Sequence, residues 1–588
     1  MTKFNELKTR NDLARILNVP IKKLTYILYK ANVDNLYSSF EIPKKNGEPR
    51  KINAPADELK DIQRKLAKVL WEHQQLINKT KHKKNNISHA FQEEKSIITN
   101  AIVHKNKRYV LNLDLKDFFD SIHFGRVKGF FEKNNDFKVS TEVATVIAQL
   151  SCYKGQLPQG APTSPILTNL ICNILDYRIS KIAKKYRLDY TRYADDLTFS
   201  TNNRSFLSVY EDFSTKISQE ILSAGFSVNE SKTSLQFRDS KQVVTGLIVN
   251  KRINVDRNYY KKTRAMAHSL YTSGSFEINT NVATMNQLEG RFSFIDQLEK
   301  FNNSVDNENH TFFKLSAKEK QYQKFLFYKY FFANEKPLVV TEGKTDIRYL
   351  KAALKNLYNE YPDLITKTER GFQFKISFFK RSKRARYFLN VALDGADTMQ
   401  QFYKYYHDED SVNYPNYNEI FKECGSVMPK QPVLLIFDNE LGATGKPINA
   451  FISNIKLSRN ENKELKKKTD ENKENKKKLE KQLIEQKRDE LKEELKKELT
   501  ANVLDNLYLI TNPLVDGKTE CEIEDLFEEK VLKHKINGRS FDRKGEKKDC
   551  YGKDDFSKFI EKNYKSIDFS KFRPIFNCLN KIVSNANQ

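Results

Sequence analysis

Asp195 and Asp196 stand side by side in the run Tyr190-Thr-Arg-Tyr193-Ala-Asp195-Asp196-Leu-Thr-Phe199-Ser200. Adjacent carboxylates repel unless a cation sits between them, and hard oxygen ligands of this kind suit magnesium. Apolar and polar residues alternate on both sides of the pair, which predicts two short strands with the acids at the turn. An Asp-Asp surface turn would read the same way over so short a stretch. Upstream, Arg108-Tyr-Val-Leu-Asn-Leu-Asp114 is an apolar run that ends in a third carboxylate. Two-metal phosphoryl transfer takes carboxylates from separate strands, holding ions about 3.5–4 Å apart that grip the attacking and leaving oxygens. Asp114, Asp195 and Asp196 make such a set.

A second set of acids follows. Leu338-Val-Val-Thr-Glu342-Gly343-Lys344-Thr-Asp346 reads as a buried strand, a glycine turn and a helix opening. Pro432-Val-Leu-Leu-Ile-Phe437-Asp438-Asn-Glu440 is another buried strand ending in acids, and Leu507-Tyr-Leu-Ile510 is a third. Apolar strands alternating with helices predict a parallel sheet covered on both faces, with a site at the strands' C-terminal ends. Glu524 and Asp525, after the third strand, either complete that site or lie on an acidic surface helix, the plainer reading.

Three features occur in the order found in reverse transcriptases: Asp114 with Phe119, the Gln159-Gly160 loop and the Tyr193-Ala-Asp195-Asp196 box. Asn100-Ala101-Ile-Val-His104 and Val244-Thr245-Gly246 resemble signatures of the retron group in particular. The resemblance covers residues 1 to about 330 and implies a right-hand polymerase of fingers, palm and thumb. It implies that two Mg2+ ions sit at Asp114, Asp195 and Asp196, and that Phe119 excludes a ribose 2′-OH. Gln159 and Gly160 then approach the nascent base pair, while Asn100, His104, Val244, Thr245 and Gly246 hold a specific RNA. Phe40 to Ile52 reads as a hairpin around Asn46-Gly47, and the resemblance puts Arg50 on the incoming triphosphate. Lys44 and Lys45 either assist or are solvated turn lysines. Lys232 either protonates the leaving pyrophosphate or is a surface lysine. The implied substrates are deoxynucleoside triphosphates and a structured non-coding RNA. The implied product is msDNA, a branched RNA–DNA primed from a guanosine 2′-OH, made in bacterial defence against phage. Group II intron maturases and other defence reverse transcriptases share the polymerase boxes, and the two short signatures argue against both.

Glu342-Gly343-x-x-Asp346 and Asp438-x-Glu440 resemble the TOPRIM domain of topoisomerases, primases and OLD-type nucleases. That resemblance implies a catalytic Glu342 and Mg2+ or Mn2+ held by Glu342, Asp346, Asp438 and Glu440, with Glu440 standing where Asp is usual. Gly395 matches the family's middle glycine. No cysteine cluster of a primase accompanies these boxes, and a topoisomerase needs further domains, so a nuclease is the expectation. Its target is a nucleic acid, RNA such as tRNA being slightly favoured over DNA.

The elements that must position these residues divide as follows. Residues 1–36 form an N-terminal helical extension, 37–250 the fingers and palm, and 251–335 the thumb and connector. Residues 336–530 form the TOPRIM domain, interrupted by a charged insertion at 456–500 that reads as an isolated, exposed helix or helical hairpin, and 531–588 a small appended basic C-terminal lobe. The fold class is α/β and α+β multidomain, with a parallel sheet in the TOPRIM part. The 588 residues carry 102 Lys and Arg against 76 Asp and Glu, a net charge of +26, which calls for a polyanionic partner. Six scattered cysteines without a Cys-x-x-Cys pair fit a reducing cytoplasm. No apolar run is long enough to span a bilayer, and no membrane partner is expected. A homo-oligomer is compatible with the charged insertion. A binding scaffold with structural carboxylates is the rival reading from another class.

Overall fold

Strand β3 (Tyr109–Lys116) is the axis of the first sheet. It is flanked by β5 (Asp196–Thr201) on one side, and by β6 (Ser227–Val228) and β7 (Ser234–Phe237) on the other. Strand β4 (Asp189–Tyr193) completes the order β4-β5-β3-β6, with β7 also paired to β3, and these pairings are antiparallel. The two-residue period puts Leu111, Leu113, Leu115, Leu197 and Phe199 into the core, against helices α1 (Asp57–Thr80), α3 (Ser164–Lys185) and α4 (Tyr210–Ser223). A separate hairpin, β1 (Tyr37–Pro43) with β2 (Pro49–Pro55), stands largely exposed. Helix α2 (Ile97–Ala101) and the small hairpin β8 (Val243–Val244) and β9 (Leu247–Ile248) pack together. The first of the N-terminal helices is capped by Thr9, with Asp12 closing a capping box.

This computed structural model describes the chain apart from residues 1–3, 44–48, 83–85, 307–310, 393–396, 408–412, 426–427, 469–472, 544–546, 548 and 587–588. Lys44, Lys45, the Asn46-Gly47 turn and Gly395 therefore lie outside the described residues. The chain divides into two units, 1–257 and 258–588.

In the second unit, strands β10 (Leu338–Thr341), β11 (Ser377–Phe378), β12 (Val433–Phe437), β13 (Thr500–Leu504) and β14 (Leu507–Thr511) form a sheet of order β11-β10-β12-β14-β13. The first three pairings are parallel, as expected, but β13 is an antiparallel edge beyond the three strands expected. Side chains alternate between two cores. Leu338, Val340, Val433 and Leu435 meet the aromatic helix α7 (Ala317–Phe327), whose Phe325 and Phe327 are buried as a connector should be. That same core takes in Leu270, Tyr271 and Phe292 of α5 (Arg257–Ser273) and α6 (Met285–Val305), so the segment expected as a thumb packs with the C-terminal sheet. Val339, Leu434 and Ile436 face α8 (Asp346–Asn356) and the last helices, α11 (Lys553–Asn563) and α12 (Arg573–Ala586).

Two readings are corrected here. Residues 531–588 are no appended lobe, because Phe556, Phe572 and Phe576 lie in the core beneath the sheet. The charged insertion is a helical hairpin, α9 (Arg459–Lys468) and α10 (Lys473–Glu498), but it is not isolated: Leu491 and Leu495 enter the core on the α7 side. Sparse leucines suffice to dock a helix whose other faces are solvated. Among the described residues no helix is long and apolar enough to cross a membrane.

Candidate functional site

Strand register brings the first three acids together. Asp114 on β3 lies directly opposite Asp196 on β5, and Asp195 sits in the turn between β4 and β5. The turn is anchored from both sides, since Leu115 N–H donates to the Asp195 carbonyl at 3.0 Å. Ala194 takes the left-handed conformation, with φ 56°, to make the corner. Beneath it lies an ion pair that sequence reasoning missed. Buried Arg192 donates from Nε and Nη2 to the two oxygens of Asp176, both at 2.8 Å, and from Nη1 to the Ala194 carbonyl at 3.1 Å. A guanidinium with these bonds satisfied fixes the turn; the only signal in the sequence was an arginine on an otherwise apolar strand face.

The acids are charged against resistance. Burial, with Asp195 and Asp114 beside it, pushes the Asp196 carboxyl up to about 7. Asp195 is raised too, chiefly by burial, while Lys232 and Arg50 pull it back. Arg50 on β2 is therefore close enough to act on the site electrostatically, as a triphosphate-binding residue must be. Lys232 Nζ donates to both oxygens of Asp114, at 2.9 and 3.1 Å, and Asn229 Nδ2 to one of them at 3.2 Å. Lys232 is thus no idle surface lysine. Among the described residues no group of three or more His, Cys, Asp or Glu forms a ready metal cage, and an ammonium stands on Asp114. Even so, the donor set fits a hard divalent cation: carboxylate oxygens from two strands and a turn, held where burial and mutual repulsion oppose their charge.

Gly160 touches the exposed hairpin. Its φ is +130°, and an added Cβ would lie 2.7 Å from the Asn53 carbonyl oxygen, while Asn53 N–H donates to the Gln159 carbonyl at 2.9 Å. Gly160→Ala is expected to displace β2 and lower nucleotide affinity several-fold, seen as a raised KM for nucleotide with folding intact; an unchanged KM would remove this contact from the site. Phe119, in the turn after β3, is half-buried and packs edge-on against Phe118, which stacks on Phe226.

The two short signatures come together but not as expected. The turn at Thr245 (φ 47°) and Gly246 (φ 81°) joins β8 to β9, and Thr245 Oγ1 donates to the Ile97 carbonyl at the start of α2. Val244 is buried, and Asn100 on α2 is 1% exposed with neither amide atom hydrogen-bonded. His104 is fully buried, its ring nitrogens 2.7 Å from Ser200 Oγ of β5 and Thr191 Oγ1 of β4. Its ring therefore pins the two strands that flank the Asp195 turn. Burial, with Lys107 and His89 nearby, pushes His104 down to about 3. The unfolded chain binds that proton near pH 6.5 and the folded chain does not, so stability present above pH 6.5 is lost as pH falls. The melting temperature is expected to drop between pH 7.5 and 5, and His104→Gln to flatten the slope; parallel curves would exclude this role.

The second set of acids also converges, at the C-terminal ends of β10 and β12. Glu342 Oε1 accepts from Asp438 N–H at 3.0 Å, and Asp346 Oδ2 from Gly343 N–H at 2.8 Å. Asp438 Oδ1 accepts from Asn512 Nδ2 and Ile523 N–H at 2.8 and 2.9 Å. Burial, reinforced by neighbouring acids, pushes Glu342 up to about 7 and Asp346 to about 6, and holds Asp438 well above the carboxylate range. Glu440 also acts on Glu342, and its Oε1 accepts from Lys446 Nζ at 2.6 Å.

Glu524 corrects the surface-helix reading. It is fully buried, it acts on Asp346 and Asp438, and its Oε1 has no hydrogen-bond partner. Asp525 turns away to Arg543 and Lys518. One lysine, Lys553 at the start of α11, reaches Glu524 Oε2 at 3.0 Å, and nothing in its local sequence marked it. An orphaned buried carboxylate oxygen amid acids that resist ionisation fits a site for a divalent cation.

The reverse transcriptase (RNA-dependent DNA polymerase) family matches residues 42–264, a span that holds Asp114, Asp195, Asp196 and Lys232. The chain is 33% identical over 319 residues to the retron Ec86 reverse transcriptase of Escherichia coli, covering 53% of this chain and 90% of that protein. It is 33% identical over 296 residues to the retron Mx162 reverse transcriptase of Myxococcus xanthus, covering 45% of this chain and 59% of that protein. It is 32% identical over 308 residues to the Mx65 enzyme of the same species, covering 50% of this chain and 68% of that protein.

Proposed function

The chain belongs to the retron reverse transcriptases, and from that premise we propose that it copies its own structured RNA into branched msDNA, with a TOPRIM nuclease in the second unit as its effector. The observation that carries the polymerase reading is the register of Asp114 against Asp196, with Asp195 at the turn and Lys232 on Asp114. When bound, two Mg2+ ions at Asp114, Asp195 and Asp196 would stabilise negative charge on the attacking and leaving oxygens. The chain's own residues do the rest. Arg50 neutralises the triphosphate of the incoming nucleotide from the β1–β2 hairpin. Lys232, kept protonated beside Asp114, is the ammonium at hand to give a proton to departing pyrophosphate. Phe119 fills the space a ribose 2′-OH would need, so Phe119→Ala is expected to raise ribonucleotide incorporation about tenfold or more while deoxynucleotide use persists. Unchanged sugar discrimination in competition assays would remove Phe119 from that role.

For the second unit, the reading is supported by Glu342, Asp346, Asp438 and Glu524 gathered at strand ends, with an orphaned oxygen among them. A chain that carries both a site that cuts nucleic acid and one that builds it needs an off state. Bound msDNA is the natural restraint, being strongly anionic against a chain of net charge +26. A phage that degrades it would shift the equilibrium to the active form, in which RNA such as tRNA is the favoured target and phage protection the outcome. Sequencing the nucleic acid that co-purifies with the protein tests the whole: a single RNA joined to its own complementary DNA is expected. Random cellular RNA with no DNA would overturn it.

A further inference from the structure

In the first unit a cavity of about 940 Å3 opens between α1, α3 and the chain around Val103, and none of Asp114, Asp195 and Asp196 lines it. Its polar wall includes amides, among them Gln74 and Asn78 from α1 and Asn173 from α3. Gln74 is 6% exposed, and its Oε1 has no hydrogen-bond partner. A buried acceptor without a donor is costly, and a ligand N–H would satisfy it. Tyr177, also on the wall, is 60% exposed, with the Lys181 ammonium 4.3 Å from its ring centroid. The three acids of the wall are each neutralised: Asp136 by Lys81, Asp176 by Arg192 and Asp189 by Lys107. Lys184 on α3 adds positive charge.

We propose that this cavity binds unpaired bases of the chain's RNA, with Tyr177 as the stacking platform and Gln74, Asn78 and Asn173 reading base edges. The inference rests on the reading that the chain holds its own structured RNA. Amide side chains present the paired donor and acceptor that base edges present in return. Sequence-specific RNA recognition falls on splayed-out bases stacked on aromatic rings, beside cations that meet the phosphates. Lipid tails would leave the amides unsatisfied. Val103 belongs to the Asn100–His104 segment, so the cavity wall is continuous with one of the two short signatures.

Tyr177→Ala and Asn173→Ala, at exposed positions, test this in the full-length protein with labelled oligo(A), oligo(U) and a fully paired RNA hairpin as probes. Affinity for the single strands is expected to fall about fivefold to a hundredfold for Tyr177→Ala. Binding of the paired hairpin and primer extension on a generic RNA template should stay at the wild-type level. Photo-crosslinks from 4-thiouridine should map to Tyr177. Unchanged single-strand affinity together with crosslinks elsewhere overturns the cavity while leaving the polymerase reading intact. Loss of a bound protein from the variants, with RNA binding unaltered, overturns it as well. A wild-type chain that binds no RNA and makes no DNA sinks both the reading and the cavity.

Discussion

Changing Asp195 and Asp196 together to asparagine is expected to cut DNA synthesis by about a thousandfold or more, with the fold retained. The substitutions keep volume and hydrogen-bonding capacity, and the main-chain bond from Leu115 N–H to the Asp195 carbonyl does not depend on either side chain. What disappears is the negative charge that burial and Asp114 already make costly to hold. That cost gives the experiment a second readout. The Asp196 carboxyl in the folded chain sits near 7, above its unfolded value, so its contribution to stability is present below the unfolded pKa and lost as pH rises through about 7. At pH 8, without divalent cations, the double variant should therefore melt at or above the wild-type temperature. Magnesium should raise the melting temperature of the wild type and leave the variant unmoved. A folded variant that makes normal amounts of complementary DNA would overturn the polymerase assignment. One that melts far below wild type would show that the acids serve the fold.

How much of this could be read beforehand depended on the physics of each residue. The β4–β5 turn and its acids were legible because alternation over a few residues fixes both strand and face. The gathering of Glu342, Asp346 and Asp438 was legible for a similar reason, since parallel strands read as continuous apolar runs that end together. Arg192, Glu524 and Lys553 were not. Arg192 and Glu524 are charged residues buried with partners from other elements, Asp176 for Arg192 and, for Glu524, the half-exposed Lys553, 29 residues later. A lone charge looks like surface until the fold supplies its counter-ion. His104 misled for the opposite reason. Its motif pointed to RNA, while the fold spends both ring nitrogens on hydroxyls of Thr191 and Ser200. Residues 531–588 looked like an appendage because their lysines dominate the composition; their phenylalanines, at helical spacing, decide where they pack.

Glu342→Gln and Asp438→Asn are each expected to abolish nucleic-acid cutting by the second unit and leave DNA synthesis unchanged. Glu342 accepts from Asp438 N–H through Oε1, a bond the Gln side-chain oxygen reproduces, so the strand ends should hold their places. The charge is what is removed, from a cluster where Asp346, Asp438 and Glu524 act on one another and Lys553 is the counter-cation that reaches Glu524. In the proposed function these carboxylates hold a divalent cation for phosphodiester chemistry, so losing one should cost about a hundredfold or more in rate. The wild-type protein stripped of bound RNA–DNA by nuclease and high salt, then given magnesium or manganese, should cut tRNA or DNA that the intact complex leaves alone. Stripped Glu342→Gln should not. In cells, both variants should accumulate msDNA at wild-type levels and fail to protect against phage. Metal binding separates this from a structural role: manganese titration should show a site in the wild-type second unit that either substitution weakens. If stripped and intact proteins are equally inert on every nucleic acid, or if the Glu342→Gln protein still protects, the acids at these strand ends serve the fold alone and the effector lies elsewhere.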